Sequence, residues 1–270
     1  MHVLIAGGDR VDAGKTTFAA GFLRWVPVAA RAYKPRAGND YWFDHDDARA
    51  ALADGRLHGK DVRRLLAAEG TDDPPATRNP VHRLWRPTPG RTGPLGEAGR
   101  TTLVDRVWDG DRSFVVNDDA TIPDPVAAAL PLSEARRVDS RASFDEAMEA
   151  VHAPALSRMA DRIRSVPHAV VEAYANVATP VRGVAYDAVC VVEPTRVRIY
   201  DGDRWEIARE AATDPGRGRL EIRTSRVTEL LDPLATLPLP PAPEETRHDP
   251  DRLAAHYDDA YSRLWDAADA

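Results

Sequence analysis

The feature that most constrains this chain lies in its first 25 residues. Val3-Leu4-Ile5-Ala6 is a short apolar run closed by Gly7-Gly8, which predicts a buried strand. Gly14-Lys15-Thr16-Thr17 follows, and Phe18, Phe22, Leu23 and Trp25 then recur at helical spacing. Strand, glycine-containing loop and helix form the first half of a βαβ unit, which predicts an α/β fold. A loop in this setting aims the N–H groups of the helix start at one point, the arrangement that cradles a phosphate.

The residue types suit that chemistry. Gly14 lets the backbone approach closely, Lys15 supplies a point charge to the β- and γ-phosphates, and the Thr16 hydroxyl is a Mg²⁺ ligand. Five residues separate Gly8 from Gly14, one more than the usual four. The expected nucleotide-binding set is Gly8, Arg10, Asp12, Ala13, Gly14, Lys15, Thr16 and Thr17. Composition sharpens this, because Lys15, Lys34 and Lys60 are the only lysines among 36 basic residues. With 30 Asp against 13 Glu, the bias reads as that of a GC-rich, salt-adapted (halophilic archaeal) genome. Where arginine is the default cation, each lysine marks a position to question.

Further apolar runs at residues 29–33, 114–116, 169–171 and 188–192 predict buried strands, the last three rich in β-branched residues. Helices are expected over 46–53, 60–69 and 144–166, the last with Ser143 and Glu146 as a capping box and a kink or break at Pro154. The alternation predicts a mainly parallel β-sheet flanked by helices. Residues 196–200 and 204–208 flank Asp201-Gly202 and read as a hairpin. Residues 232–248, rich in proline, read as an extended linker. Asp249 and Pro250 then open a helix with Leu253, Tyr257, Tyr261, Leu264, Trp265 and Ala268 on one face. The expected organisation is an α/β domain over 1–231, the linker, and an amphipathic helix over 249–270. That aromatic stripe must bury on the main domain or across a homodimer.

The 270 residues carry a formal net charge of −7, which argues against a nucleic-acid-coating function. One cysteine, Cys190, excludes a disulfide scaffold or a multi-cysteine metal site and reads as a core residue. Neither a signal peptide nor a membrane span is expected, and the predicted location is cytoplasmic.

The loop resembles that of dethiobiotin synthetase and its relatives among the P-loop ATPases, Gly-x-Asp/Thr-x-Asp/Glu-x-Gly-Lys-Thr, with Asp12 on the acidic position. Three further segments follow in the family's order. Tyr33-Lys34-Pro35-Arg36-Ala37-Gly38 is similar to the segment ending its second strand, whose lysine faces the substrate carbamate and the γ-phosphate. The stretch from Asn79-Pro80 to Pro89 is similar to its substrate-lining segment. Val170-Val171-Glu172 resembles the strand whose glutamate binds Mg²⁺, with Ala173-Tyr174-Ala175-Asn176 standing where the family has a glycine-rich turn. The resemblance spans residues 1–195. It implies ATP and Mg²⁺ as cofactors, Lys15 and Lys34 as catalytic residues, and Thr16, Glu172 and Asp47 at the metal. It also implies Asn79, His82 and Arg83 at a small carboxylate substrate. ATP rather than GTP rests on the resemblance, and no Asn-Lys-x-Asp guanine motif is present.

Plainer readings stand beside these. Glu172 also reads as a surface acid, and residues 39–47 as a solvated acidic loop with Asp46 or Asp47 capping a helix. His82, Arg83, Trp85 and Arg86 read either as an anion-binding wall or as a strand of alternating exposure. Arg10 stands where partitioning-type relatives carry a lysine that crosses to a partner's nucleotide, and it equally reads as a solvated loop arginine. Two functions follow: an ATP-dependent enzyme passing a phosphoryl group to a carboxylate or carbamate, and a nucleotide-switched, dimerising protein. A third is a relative that binds nucleotide without turnover.

Overall fold

The computed structural model describes residues 1–8, 14–88, 95–97, 99–213 and 221–269. The strands are β1 His2–Gly7, β2 Arg31–Tyr33, β3 Arg36–Asp40, β4 Val81–Pro87, β5 Gly96–Glu97, β6 Arg100–Trp108, β7 Arg112–Asn117, β8 Arg136–Val138, β9 Ala169–Glu172, β10 Ala188–Glu193, β11 Arg196–Asp201 and β12 Ala235–Pro238. The helices are α1 Lys15–Trp25, α2 His45–Ala53, α3 Lys60–Glu69, α4 Asp124–Ala129, α5 Arg141–Ala147, α6 Ala153–Arg164, α7 Gly202–Ala211, α8 Thr224–Thr228, α9 Glu244–Arg247, α10 Pro250–His256 and α11 Asp258–Ala268. The chain forms two compact units. The first comprises Met1–Lys34, Arg64–Asp73 and Ala160–Ala270, the second Pro35–Arg63 and Pro74–Met159. Residues 1–231 thus contribute to both units, and 232–269 belong to the first.

In the first unit the sheet order is β12-β11-β10-β1-β9-β2. The four apolar runs predicted as buried strands at 3–6, 29–33, 169–171 and 188–192 make its parallel half, with Val3 opposite Val170 on one side and Ala188 on the other. β11 and β12 extend it antiparallel, because only Pro194 and Thr195 join β10 to β11 and so short a connection allows no crossover. The second sheet runs β3-β4-β6-β7-β8, with β5 on β6; its outer pairs are parallel and its inner ones antiparallel. The fold is therefore α/β with two mixed sheets, not the mainly parallel sheet expected.

Three local expectations change. The hairpin after Asp201-Gly202 is a helix. The Asp201 carboxylate accepts from the Arg204 N–H at 2.8 Å as an N-cap, and Gly202 is required because a Cβ there would collide with the Tyr186 carbonyl. The proline-rich stretch is not all linker: β12 pairs with β11 at the sheet edge, where Pro238 forgoes no ladder bond. The helix expected from Ser143 begins earlier, with Ser140 as N-cap accepting from the Ser143 N–H. A π turn over Met148–His152 then precedes α6, whose first turn holds Pro154.

The C-terminal segment keeps its predicted start. Asp249 accepts from the N–H groups of Asp251 and Arg252, with Pro250 at the first helical position. The helix breaks at Tyr257 into α10 and α11, and Leu253, Tyr261 and Leu264 are fully buried. Leu253 and Tyr261 pack on α1 of their own unit. The Tyr261 hydroxyl donates to the Phe18 carbonyl at 3.0 Å, its ring lies 4.8 Å from that of Phe18, and Gly21 leaves the room that Leu253 and Tyr261 fill. Among the described residues no helix is long and apolar enough to cross a membrane.

Candidate functional site

Strand register in the first unit brings together side chains far apart in sequence. Tyr33 pairs with Val171, so the next residues, Lys34 and Glu172, emerge side by side at the carboxyl edge of β2 and β9. Ile5 pairs with Glu172, which sets the end of β1 on the other flank. Ligands of open α/β sheets collect at this edge. Beyond β1, the Gly8 N–H donates to the Val192 carbonyl at 3.0 Å. Gly14 caps α1 in the left-handed region at φ 83, and its carbonyl takes the first helical bond from the Phe18 N–H at 2.9 Å.

The polar groups converge closely. The Thr16 hydroxyl donates to Glu172 Oε1 at 2.8 Å, and Lys34 Nζ donates to the same oxygen at 2.6 Å. Glu172 Oε2 is buried with no hydrogen-bond partner among the described residues. Lys15 is buried and lies over the end of β1: a Cβ on Gly7 would stand 2.7 Å from its Nζ and 2.9 Å from the Ala175 carbonyl. The Lys34–Glu172 pair is itself buried, so removing either partner alone strands a charge, at a cost of about 3–5 kcal/mol. On α3, the Arg64 guanidinium donates to the Thr17 hydroxyl at 3.0 Å and also to the Arg247 carbonyl.

A magnesium ion fits this donor set. An unsatisfied carboxylate oxygen beside a threonine hydroxyl offers the hard oxygen ligands the ion takes, and Mg²⁺ commonly completes its shell with waters and substrate phosphates. Among the described residues no group of three His, Cys, Asp or Glu side chains makes a metal site of its own. Arg10, Asp12 and Ala13 lie outside the described residues, as does Pro89.

The other predicted site residues lie in the second unit and have other work. Asp47 Oδ2 accepts from Asn39 Nδ2 at 2.5 Å and from the Lys60 N–H at 3.0 Å, and Oδ1 from Arg63 at 3.2 Å. Its charge braces α2 against the start of α3. Asp44, rather than Asp46 or Asp47, is the N-cap residue of α2, and Trp42 and Phe43 stand exposed just before it.

Asn79 and His82 are fully buried, because β4 is an interior strand between β3 and β6. His82 Nε2 meets Asn39 Oδ1 at 2.6 Å, and burial, then the Arg106 charge, hold its pKa well below the ordinary histidine value. Arg106 donates to the carbonyls of Leu57, Asn79 and Pro80. Arg83 forks onto Asp105 with two bonds of 2.7 Å, and His152 Nε2 reaches the same carboxylate at 2.9 Å. Of the expected anion-binding wall, His82 and Arg83 are thus tied into an internal polar network, while Trp85 Nε1 is buried without a hydrogen-bond partner among the described residues.

Sequence reasoning missed several of these groups. Glu193 ends β10 as Glu172 ends β9, and its side chain fills the space beside Gly8 while Arg198 forks onto it. The same pattern, an acid closing an apolar run, marked both. For Asp105-Arg106 the available signal was a charged pair inside the apolar run 103–107. Arg64 carried no signal, being one basic residue on a polar helix face.

The class that fold and site define is an α/β protein of two mixed sheets, with a lysine–glutamate–threonine cluster at the carboxyl edge of the first. Against known proteins, no family model matches the chain, and no curated protein or solved structure matches it.

Proposed function

We propose that the first unit binds Mg·ATP in a P-loop and transfers or hydrolyses its γ-phosphoryl group, with a small carboxylate or carbamate as acceptor. The observation that carries this reading is the convergence of Thr16 and Lys34 on one oxygen of buried Glu172 while the other oxygen is unsatisfied, beside a left-handed Gly14 that opens a helix after a parallel strand. The resemblance of residues 8–16 to the dethiobiotin synthetase loop supports it.

In this reading the α1 N-terminus and Lys15 bind the phosphates, and Thr16 and Glu172 hold the metal. The bound Mg²⁺ supplies charge neutralisation at the phosphoryl oxygens. Lys34 orients the acceptor and balances its charge, so catalysis is positioning and electrostatics rather than covalent chemistry.

Calorimetric and thermal-shift titration with Mg·ATP and Mg·GTP tests the reading. Mg·ATP at about a hundred times its Kd is expected to stabilise the wild type by about 2.7 kcal/mol, and Lys15→Ala to abolish the effect. No shift with either nucleotide overturns the proposal. Turnover that rises with an added carboxylate or amine supports transfer; turnover indifferent to every acceptor leaves hydrolysis alone.

A further inference from the structure

The Lys34–Glu172 pair is 2.6 Å long, with side chains 4% and 1% exposed. Oε1 of the carboxylate accepts from both Lys34 and Thr16, which uses its two acceptor directions, and Oε2 is buried without a hydrogen-bond partner among the described residues. A divalent ion on Glu172 therefore shares one carboxylate with an ammonium group. Two cations so close, shielded from water, repel strongly over the carboxylate they share. The ammonium is the mobile member, since it is a point charge on a flexible stem, whereas an arginine would lock onto the carboxylate as a planar fork. That difference accounts for a lysine here in a chain whose cations are otherwise nearly all arginine.

Resting on the Mg·nucleotide reading above, we infer that Lys34 is the resident counter-ion of Glu172, that a divalent ion displaces it, and that the displaced ammonium then serves the anionic acceptor. Metal loading and acceptor binding are thereby coupled through one side chain. The acceptor meets a charged Lys34 only after Glu172 has exchanged its partner.

The test uses the full chain and Mn²⁺ alone, without nucleotide. Calorimetric titration is expected to give Lys34→Met at least about tenfold tighter Mn²⁺ binding than wild type, because the competing cation is gone. Lys34→Arg should bind no tighter than wild type. Lys34→Met should also melt below wild type without metal and recover with Mn²⁺. Equal affinity in wild type and Lys34→Met overturns the inference.

Should Lys34→Met fail to fold, the wild type carries the test. With three lysines, acetylation by an amine-directed reagent is resolved residue by residue in peptide mass spectra, with Lys60, whose side chain is 68% exposed, as reference. Mn²⁺ is expected to raise Lys34 acetylation several-fold relative to Lys60; an unchanged ratio overturns the exchange. Because neither readout contains nucleotide, the two proposals fail separately. Loss of Mg·ATP binding removes the function and leaves the exchange, and metal-insensitive Lys34 does the reverse.

Discussion

Ala175 holds a left-handed backbone at φ 46, three residues after Glu172 and with its carbonyl pressed toward Gly7. An L-residue in that region costs roughly 1–2 kcal/mol, of which glycine would return part against its larger unfolded entropy. Ala175→Gly is therefore expected to stabilise the protein by about 0.5–1 kcal/mol in chemical denaturation. A destabilised variant would show that the methyl group's packing outweighs the backbone strain. The resemblance had placed a glycine-rich turn here, and the backbone keeps a glycine-like conformation without the glycine. At this scale the sequence was informative about residue type: scarce lysines singled out Lys15 and Lys34, and the family resemblance singled out Glu172. It was silent on partners. The bond between Lys34 and Glu172 exists because Tyr33 pairs with Val171, and strand register is not written in either segment alone.

Among the elements, the C-terminal pair α10 and α11 was legible as a helix with an aromatic stripe, including its cap at Asp249. Its docking face was not, since a stripe specifies only that something covers it. Tyr261 supplies the answer by reaching the Phe18 carbonyl past Gly21. Tyr261→Ala is expected to cost about 3–5 kcal/mol in equilibrium unfolding, the usual penalty for an emptied aromatic site, and Tyr261→Phe about 1 kcal/mol for the lost hydrogen bond. Gly21→Ala should destabilise as well, because its Cβ would stand 2.8 Å from Leu253 Cβ. Sedimentation of a chain lacking residues 249–270 checks the switch reading. With the aromatic face already covered within its own unit, truncation is expected to lower the melting temperature while leaving assembly unchanged. The misread hairpin has the same origin as the unread docking. Residues 204–208 satisfy both periodicities, and the Asp201 cap and the close approach at Gly202 decide between them.

For the whole molecule, the sequence led to one sheet where there are two. The second unit escaped notice because its strands carry polar and charged side chains: β4 and β6 hold His82, Arg83, Asp105 and Arg106, which break the apolar pattern that identifies interior strands. That polar interior makes the second unit acid-sensitive. Burial first, and the Arg63 charge after it, bring the His58 pKa down to about 4, and His82 is lowered likewise. Each folded pKa lies below the unfolded value near 6.5, so the unfolded chain takes up protons first. The stability these histidines contribute is complete above about pH 6.5 and falls as pH drops toward 4. For His58 the loss is on the order of 2 kcal/mol, readable by urea unfolding at stepped pH. His58→Gln should flatten part of that slope. Asp105 acts lower still: burial alone would raise its pKa, but the Arg83 fork and His152 hold it well below the usual carboxylate range, so its contribution is lost only in strong acid.

The interleaving of the two units has a consequence for synthesis. β1 finds its neighbours only in β9 and β10, with His2 opposite Ala169 and Gly7 opposite Val192. At about 5–20 residues per second, a ribosome leaves this apolar strand without its native partners for roughly ten seconds or more. Residues 35–159 emerge in that interval, with the described strands of the second unit, β3 to β8, all among them. β1 is thus made well before either strand it pairs with, and in the meantime it is a natural client for a holding chaperone.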